Sequence, residues 1–300
     1  MIGYTVAIQI IIFIIWDSIA INIVVLVIWN TVTVNVVILV IWYTIAVDVI
    51  VFFIKNTIAV DIIILIIWYT IPIDVIILII WYTIPIDVII PIVWHAIAIN
   101  VIILLIRNAI TIDVVVLVVW DAVTINVIVL TVGYSVAINV LILFIRNTIP
   151  INIAILAVRY TIAIHIIILI VRYSIAIHII ILSIWYTVPI YIVILYIRYT
   201  VTIKIVIFNV RHTIAVHIGI LNIWYDIAVE VIVIYVQNAI TIHVLILLIR
   251  YHITIDVAVH LIRNTIAVGI DLTVRGLCII SFYFCSFSTC ISSSRGLILL

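Results

Sequence analysis

One 13-residue unit, copied 21 times from Ile2 to about Ala267, constrains this chain more than any other feature. The copy Ile41 to Phe53 serves as a ruler, with Ile41 in column one and Phe53 in column thirteen. Column three is Tyr, Asn, His or Asp in all 21 copies, among them Tyr43, Asp17, Asn30 and His95. Column six is only Ala, Thr or Pro, as in Ala46, Thr33 and Pro72. Columns five and seven are Ile or Val at 42 positions out of 42. Column two holds all nine Trp, from Trp16 to Trp224, exchanging with Arg107, Arg146, Gly133, Lys55 and Gln237.

A folded repeat constrains volume and polarity, so a core column should accept Leu or Met beside Ile, and a hydrogen-bonded column should exclude Pro. These columns do the opposite. Trp and Arg share little as side chains, and Tyr, Asp, Asn and His share neither volume nor charge. Each set does share a codon pattern. Tyr, His, Asn and Asp are the NAY codons, Ala, Thr and Pro are reached through NCN, and Trp, Arg and Gly are all available as NGG. The variation sits in the first codon base.

Such a base is silent in a frame that reads it as the wobble position. The forward frame shifted by one base would give fourfold-degenerate codons and admit Leu and Phe to columns five and seven, where none occurs. On the complementary strand, Ile/Val exchange becomes a pyrimidine swap inside Asp, Asn or Tyr codons. NGG becomes CCN, which is Pro; NAC becomes GTN, which is Val; and NCC becomes GGN, which is Gly. Column twelve, Leu or Phe in 17 of the 20 complete copies, becomes Glu when its third base is C. With C at most third positions the complement of columns twelve to one reads roughly Glu-Asp-Asp-Asp-Val-Asp-Gly-Asp-Gly-Val-Pro-Asp.

That complement resembles the Asp-rich calcium-binding repeats of the thrombospondin type 3 kind. There Asp-x-Asp-Gly-Asp-Gly loops supply hard oxygen ligands to Ca²⁺ and Gly permits the tight turn. The resemblance covers the whole array but belongs to the other strand. No Ile or Val written here inherits a ligand role, because neither carries a carboxylate. The leading expectation is therefore a chain with no evolved function in this frame, and no enzyme.

The physics of the chain as written points to strands. It is 70% hydrophobic and 8% charged, with mean hydropathy +1.69 and net charge +1. Soluble domains carry about a quarter charged residues, and a nucleic-acid partner needs a basic footprint, so neither class fits. Ile, Val and Thr dominate every copy. A helix would rotate successive 13-residue copies by about 140°, leaving no stable polar stripe. Pro72, Pro85, Pro150 and Pro189 would break it. The stretch from Ala122 to Phe144 lacks charge, but it carries Asn126 and Asn139 on the same beat and does not read as a membrane helix. The expected fold is all-β: a β-solenoid with one coil per 13 residues, about 100 Å long at 4.8 Å per coil. The alternative is an antiparallel meander or barrel, in which columns four, six, eight, ten, twelve and one share a face and strands of suitable length could line a membrane. Self-association and aggregation follow from the lack of gatekeepers.

Few positions point to chemistry. Column eight runs Asp48, Asp61, Asp74, Asp87, Asn100, Asp113, then His165, His178, Tyr191, Lys204, His217, Glu230 and His243. In a one-unit coil these would form a single ladder at about 4.8 Å spacing, near enough for carboxylates or imidazoles to share a cation. Lys204 is poor company for one, and codon drift through NAN accounts for the column. The Trp column has the composition of an aromatic belt at a bilayer interface, but NGG drift explains its exchange with Arg. No phosphate loop, nucleophile elbow or acid–base pair is present. No catalytic, cofactor or metal residue is assigned, and no partner beyond a membrane or the chain itself. The array is taken as residues 1–267 and a Ser/Cys/Phe-containing tail as 268–300. In the tail Cys278, Cys285 and Cys290 match no zinc or redox spacing and leave one thiol unpaired. The apolar start, Met1 to Ile15, lacks the basic flank of a secretory signal.

Overall fold

Each 13-residue unit forms one strand and one corner. Columns five through thirteen and the next column one make a ten-residue strand, and columns two to four turn the chain. β1 (Val6–Ile15), β2 (Ile19–Ile28) and β3 (Val32–Ile41) set the pattern. It continues to β21 (Ile266–Val274), β22 (Leu277–Ser286) and β23 (Cys290–Leu299). The computed structural model describes residues 6–274 apart from 16–18, 29–30, 42–44, 55–57, 68–69, 81–82, 95, 107–108, 223, 250–252 and 263–265. It also describes the backbone of 277–286 and 290–299. Side chains beyond Asp271, including the three cysteines, lie outside the described set.

The odd-numbered strands from β1 to β21 form one sheet of eleven strands. The even-numbered strands to β22, with β23 added at the end, form a second sheet of twelve. Neighbours within the first 22 strands are parallel and pair residue i with i+26 over most of the array, as in Val6 with Val32 and Ile149 with Ile175. Among the described strands only β23 is antiparallel, against β22. The fold is thus the expected β-solenoid, with two units per coil instead of one. A straight ten-residue strand, about 33 Å long, cannot close on itself. It must be answered by a returning strand that covers its apolar face, so 26 residues make one flattened coil. Ten strand spacings of about 4.8 Å give an axis near 48 Å, half the expected length.

Side chains in columns five, seven, nine and eleven point inward, and column one joins them. In β13 (Ile162–Val171), Ile162, Ile164, Ile166, Ile168 and Val171 are at most 1% exposed. The step from column eleven to column one is three residues long because the ladder steps over column twelve. Ile155 pairs with Ile181 and Ala157 with Ser183, leaving Leu156 and Leu182 unmatched. Columns twelve and thirteen therefore both face outward, as Leu156 does at 38% exposure. This corrects the grouping of column one with the outer face. The correction has a sequence signature: columns one and nine are Ile or Val in every copy, and column eleven departs only at Leu272. Columns ten and thirteen meanwhile admit Ala154, Gly219, Thr131, Asn209 and Tyr196. The buried side chains form one continuous aliphatic cluster, with no buried polar or charged residue among those described.

Corner backbone groups extend the ladder. The column-two N–H of Arg146 donates to Val119 O at 3.1 Å, and the column-five N–H of Ile149 donates to Ser174 O at 3.1 Å. The prolines lie inside strands, contrary to the expected exclusion. Pro150 pairs with Ala176 and Pro189 with Ala215, each at the loss of one donor.

Adjacent residues on β13 test the inward–outward assignment. Ile166→Asp places a carboxylate in the dry core and is expected to cost about 4 kcal/mol or more. Ile167→Asp, at a site 41% exposed, should shift stability by no more than about 1 kcal/mol. The urea midpoint of each variant reads the difference, and equal losses would contradict the phase of the strand.

Candidate functional site

Because coils contain two units, column eight is divided between the outer faces of the two sheets. One face carries Asp61, Asp87, Asp113, Asn139, His165, Tyr191, His217 and His243 in register. The other carries Asp48, Asp74, Asn100, Asn126, Asn152, His178, Lys204 and Glu230. The single Asp-to-His ladder expected from a 13-residue coil does not exist. Among the described residues, no group of three His, Cys, Asp or Glu side chains is placed to hold a metal ion.

Most members of each ladder satisfy one another. Asn100 Nδ2 donates to Asp74 Oδ1 at 2.7 Å, Asn126 to Asn100 at 2.8 Å, and Asn152 to Asn126 at 2.9 Å. On the opposite face Asn139 donates to Asp113 at 2.7 Å. Lys204 Nζ lies 2.9 Å from Glu230 Oε2, an exposed ion pair that contributes little. His165, Tyr191 and His217 stack at 5.1 and 4.9 Å, and His243 Nε2 meets Asp271 Oδ2 at 3.0 Å. His217 Nδ1 is buried in this stack without a hydrogen-bond partner. The carboxylates Asp61, Asp87 and Asp113 occupy successive rungs. Burial, then repulsion from Asp113 and Asp61, raises the Asp87 carboxyl above its ordinary value near 3.8.

The corners carry the other polar side chains, again as stacks spaced by 26. Tyr134, Tyr160 and Tyr186 stack at 4.9 and 5.0 Å on one edge, and Tyr173, Tyr199 and Tyr225 at 5.0 Å on the other. Trp94 stacks on Trp120 at 5.0 Å. Arg211 lies 3.9 Å over the Trp185 ring and Arg146 lies 5.4 Å over Trp120. Column two, read as a single Trp/Arg column, is thus two separate edges. One of them brings Arg146, Arg172 and Arg198 onto consecutive coils, a juxtaposition hidden in the sequence by the intervening Arg159 and Trp185.

No family model, curated protein or solved structure matches the chain. Among the described residues, no helix is long and apolar enough to cross a membrane, which leaves strand-based membrane contact unaddressed.

Two outcomes follow from the ladder geometry. A raised Asp87 pKa favours the protonated native state, so its contribution to stability is full below the ordinary value and fades as pH rises through the raised one. Asp87→Asn is expected to stabilise the fold at neutral pH and to flatten that part of the pH profile of the urea midpoint. A destabilised variant with the wild-type profile would contradict the assignment. Zinc titrated into the folded chain is expected to show no saturable uptake, and stoichiometric binding would contradict the division of column eight.

Proposed function

We propose that this chain has no evolved activity in the frame written and is the translation of the strand opposite an acidic, calcium-repeat-like reading frame. The observation that supports this is the contrast between inner and outer columns. Inside, confinement to Ile and Val has two sufficient causes: β-branched packing in a parallel ladder, and pyrimidine exchange within complementary Asp codons. Outside, packing offers no cause. Column three sits on the corners, where Tyr134 and Tyr173 are 49% and 42% exposed. An exposed corner tolerates Lys, Glu, Gln, Ser or Gly as readily as Asn or Asp. Yet none occurs in 21 copies. The NAY codons supply that restriction, and on the complement they become Val. On this reading the chain is not an enzyme and has no nucleic-acid partner.

A second reading is a self-assembling or membrane-associated β-repeat. It is favoured by the outer faces, where Ile167, Ile170, Ile180, Leu195 and Phe208 are between 36% and 43% exposed. Apolar surface on this scale is covered by lipid, by other copies or by aggregation.

The coding DNA separates the two. Differences among the 21 repeats are expected to be mostly silent on the complement, which should be open along the array. Stops in the complement, with the silent excess in the present frame, would overturn the antisense reading and leave the β-repeat reading standing.

A further inference from the structure

On the edge that carries Arg146, Arg172 and Arg198, two adjoining hollows share the last two arginines. The first, about 220 Å³, is lined by the three arginines with Tyr173 and Tyr199. The second, about 450 Å³, is walled by Phe144, Ile170, Tyr196 and Trp224 and reaches Arg172 and Arg198. It lies where β17 (Ile214–Ile220) leaves the ladder early. Leu221 N donates back to Ile194 O at 2.8 Å and Asn222 N to Leu247 O at 3.1 Å. Asn222 takes a left-handed φ of 37°, a conformation that Asn accepts more readily than most residues. Trp224 follows at the end of the slot.

The charges on this edge are unevenly matched. Arg146 is engaged by the Trp120 ring, and Asp121 by Asn147, which donates to it at 2.9 Å. Asp226, one coil beyond Arg198, is also engaged. No side-chain hydrogen bond or ion pair among the described residues engages Arg172 or Arg198. Arg172 and Arg198 stand on adjacent coils, whose strands are about 4.8 Å apart, and line one hollow, so their two guanidiniums can supply several N–H donors to one tetrahedral oxyanion. The slot beside them, walled by Phe144, Ile170, Tyr196 and Trp224, has the volume and the apolar, aromatic lining for a flat apolar group.

We propose that this edge binds an oxyanion bearing a flat apolar group, of the aryl phosphate or aryl sulfate class. Arg172 and Arg198 hold the head, and Phe144, Tyr196 and Trp224 hold the ring. The site is a property of the folded chain and does not depend on which DNA strand selection reads.

The test titrates the full chain, refolded in a non-ionic detergent, with phenyl phosphate, inorganic phosphate and phenol by calorimetry. Phenyl phosphate is expected to bind at least about tenfold more tightly than either fragment. Arg172→Gln and Arg198→Gln should each weaken it by about tenfold, the scale of one charge-assisted contact. Arg159→Gln, on the opposite edge, should leave it unchanged. All three arginines are exposed, so the sheet signal in circular dichroism should be the same in every variant. Absence of phenyl phosphate binding to the wild-type chain, equal affinity for phenol, or an equal loss in Arg159→Gln would overturn the proposal. The wild-type comparison stands even where a variant fails to fold.

Discussion

The inward ladder of Ile and Val carries the rest of the structure. Each β-branched side chain sits on an equivalent one in the coils before and after it, so its preferred rotamer is shared along the stack. The backbone hydrogen bonds hold those coils in register. Burial of one such side chain contributes roughly 1.5–3 kcal/mol, and the inner columns repeat it on nearly every coil. The interior asks nothing of the outer columns. Ala, Pro, Tyr, Arg or Asp can occupy them while the inner surface stays the same.

This division explains what the sequence discloses. Strand state, corner positions and the solenoid itself were legible in the β-branched columns and the polar pairs that punctuate them. Coil size was not, because a 13-residue period is the same whether one unit or two complete a turn. Only the need to cover the inner face of Ile162–Val171 with a returning strand decides it. The inward turn of column one was legible in principle: Val119, Val132 and Val158 belong to a column without exceptions, whereas its neighbour admits Thr131, Ala157 and Ser183. Strict two-residue alternation hides it, because the ladder steps over Leu156 and its equivalents.

The same doubling decides what the polar residues can do. Asp48 and Asp61 look adjacent in a column and lie on opposite faces. Arg172 and Arg198 look separated by Trp185 and lie on adjacent coils. A cation ladder read at 13 dissolves, and an anion-sized hollow appears at 26. Packing in the parallel ladder constrains the inside of this fold, whereas the outer columns, on the antisense reading proposed above, follow a codon rule that side-chain chemistry does not impose. Pro150 and Pro189 belong to that outer set: each removes a ladder donor that an Ala in the same column would supply.

Coil size is therefore the point on which the account turns, and paired spin labels test it directly. Tyr160 and Tyr186 stack at 5.0 Å on one edge, whereas Tyr173 lies at the far end of the intervening strand, about 30 Å away. Labels at 160 and 186 are predicted to couple strongly, and labels at 160 and 173 are predicted to show a separation near 30 Å. Strong coupling between 160 and 173 would establish a 13-residue coil and contradict the two-sheet structure. A 160–186 separation near 10 Å, two strand spacings, would point instead to an antiparallel meander.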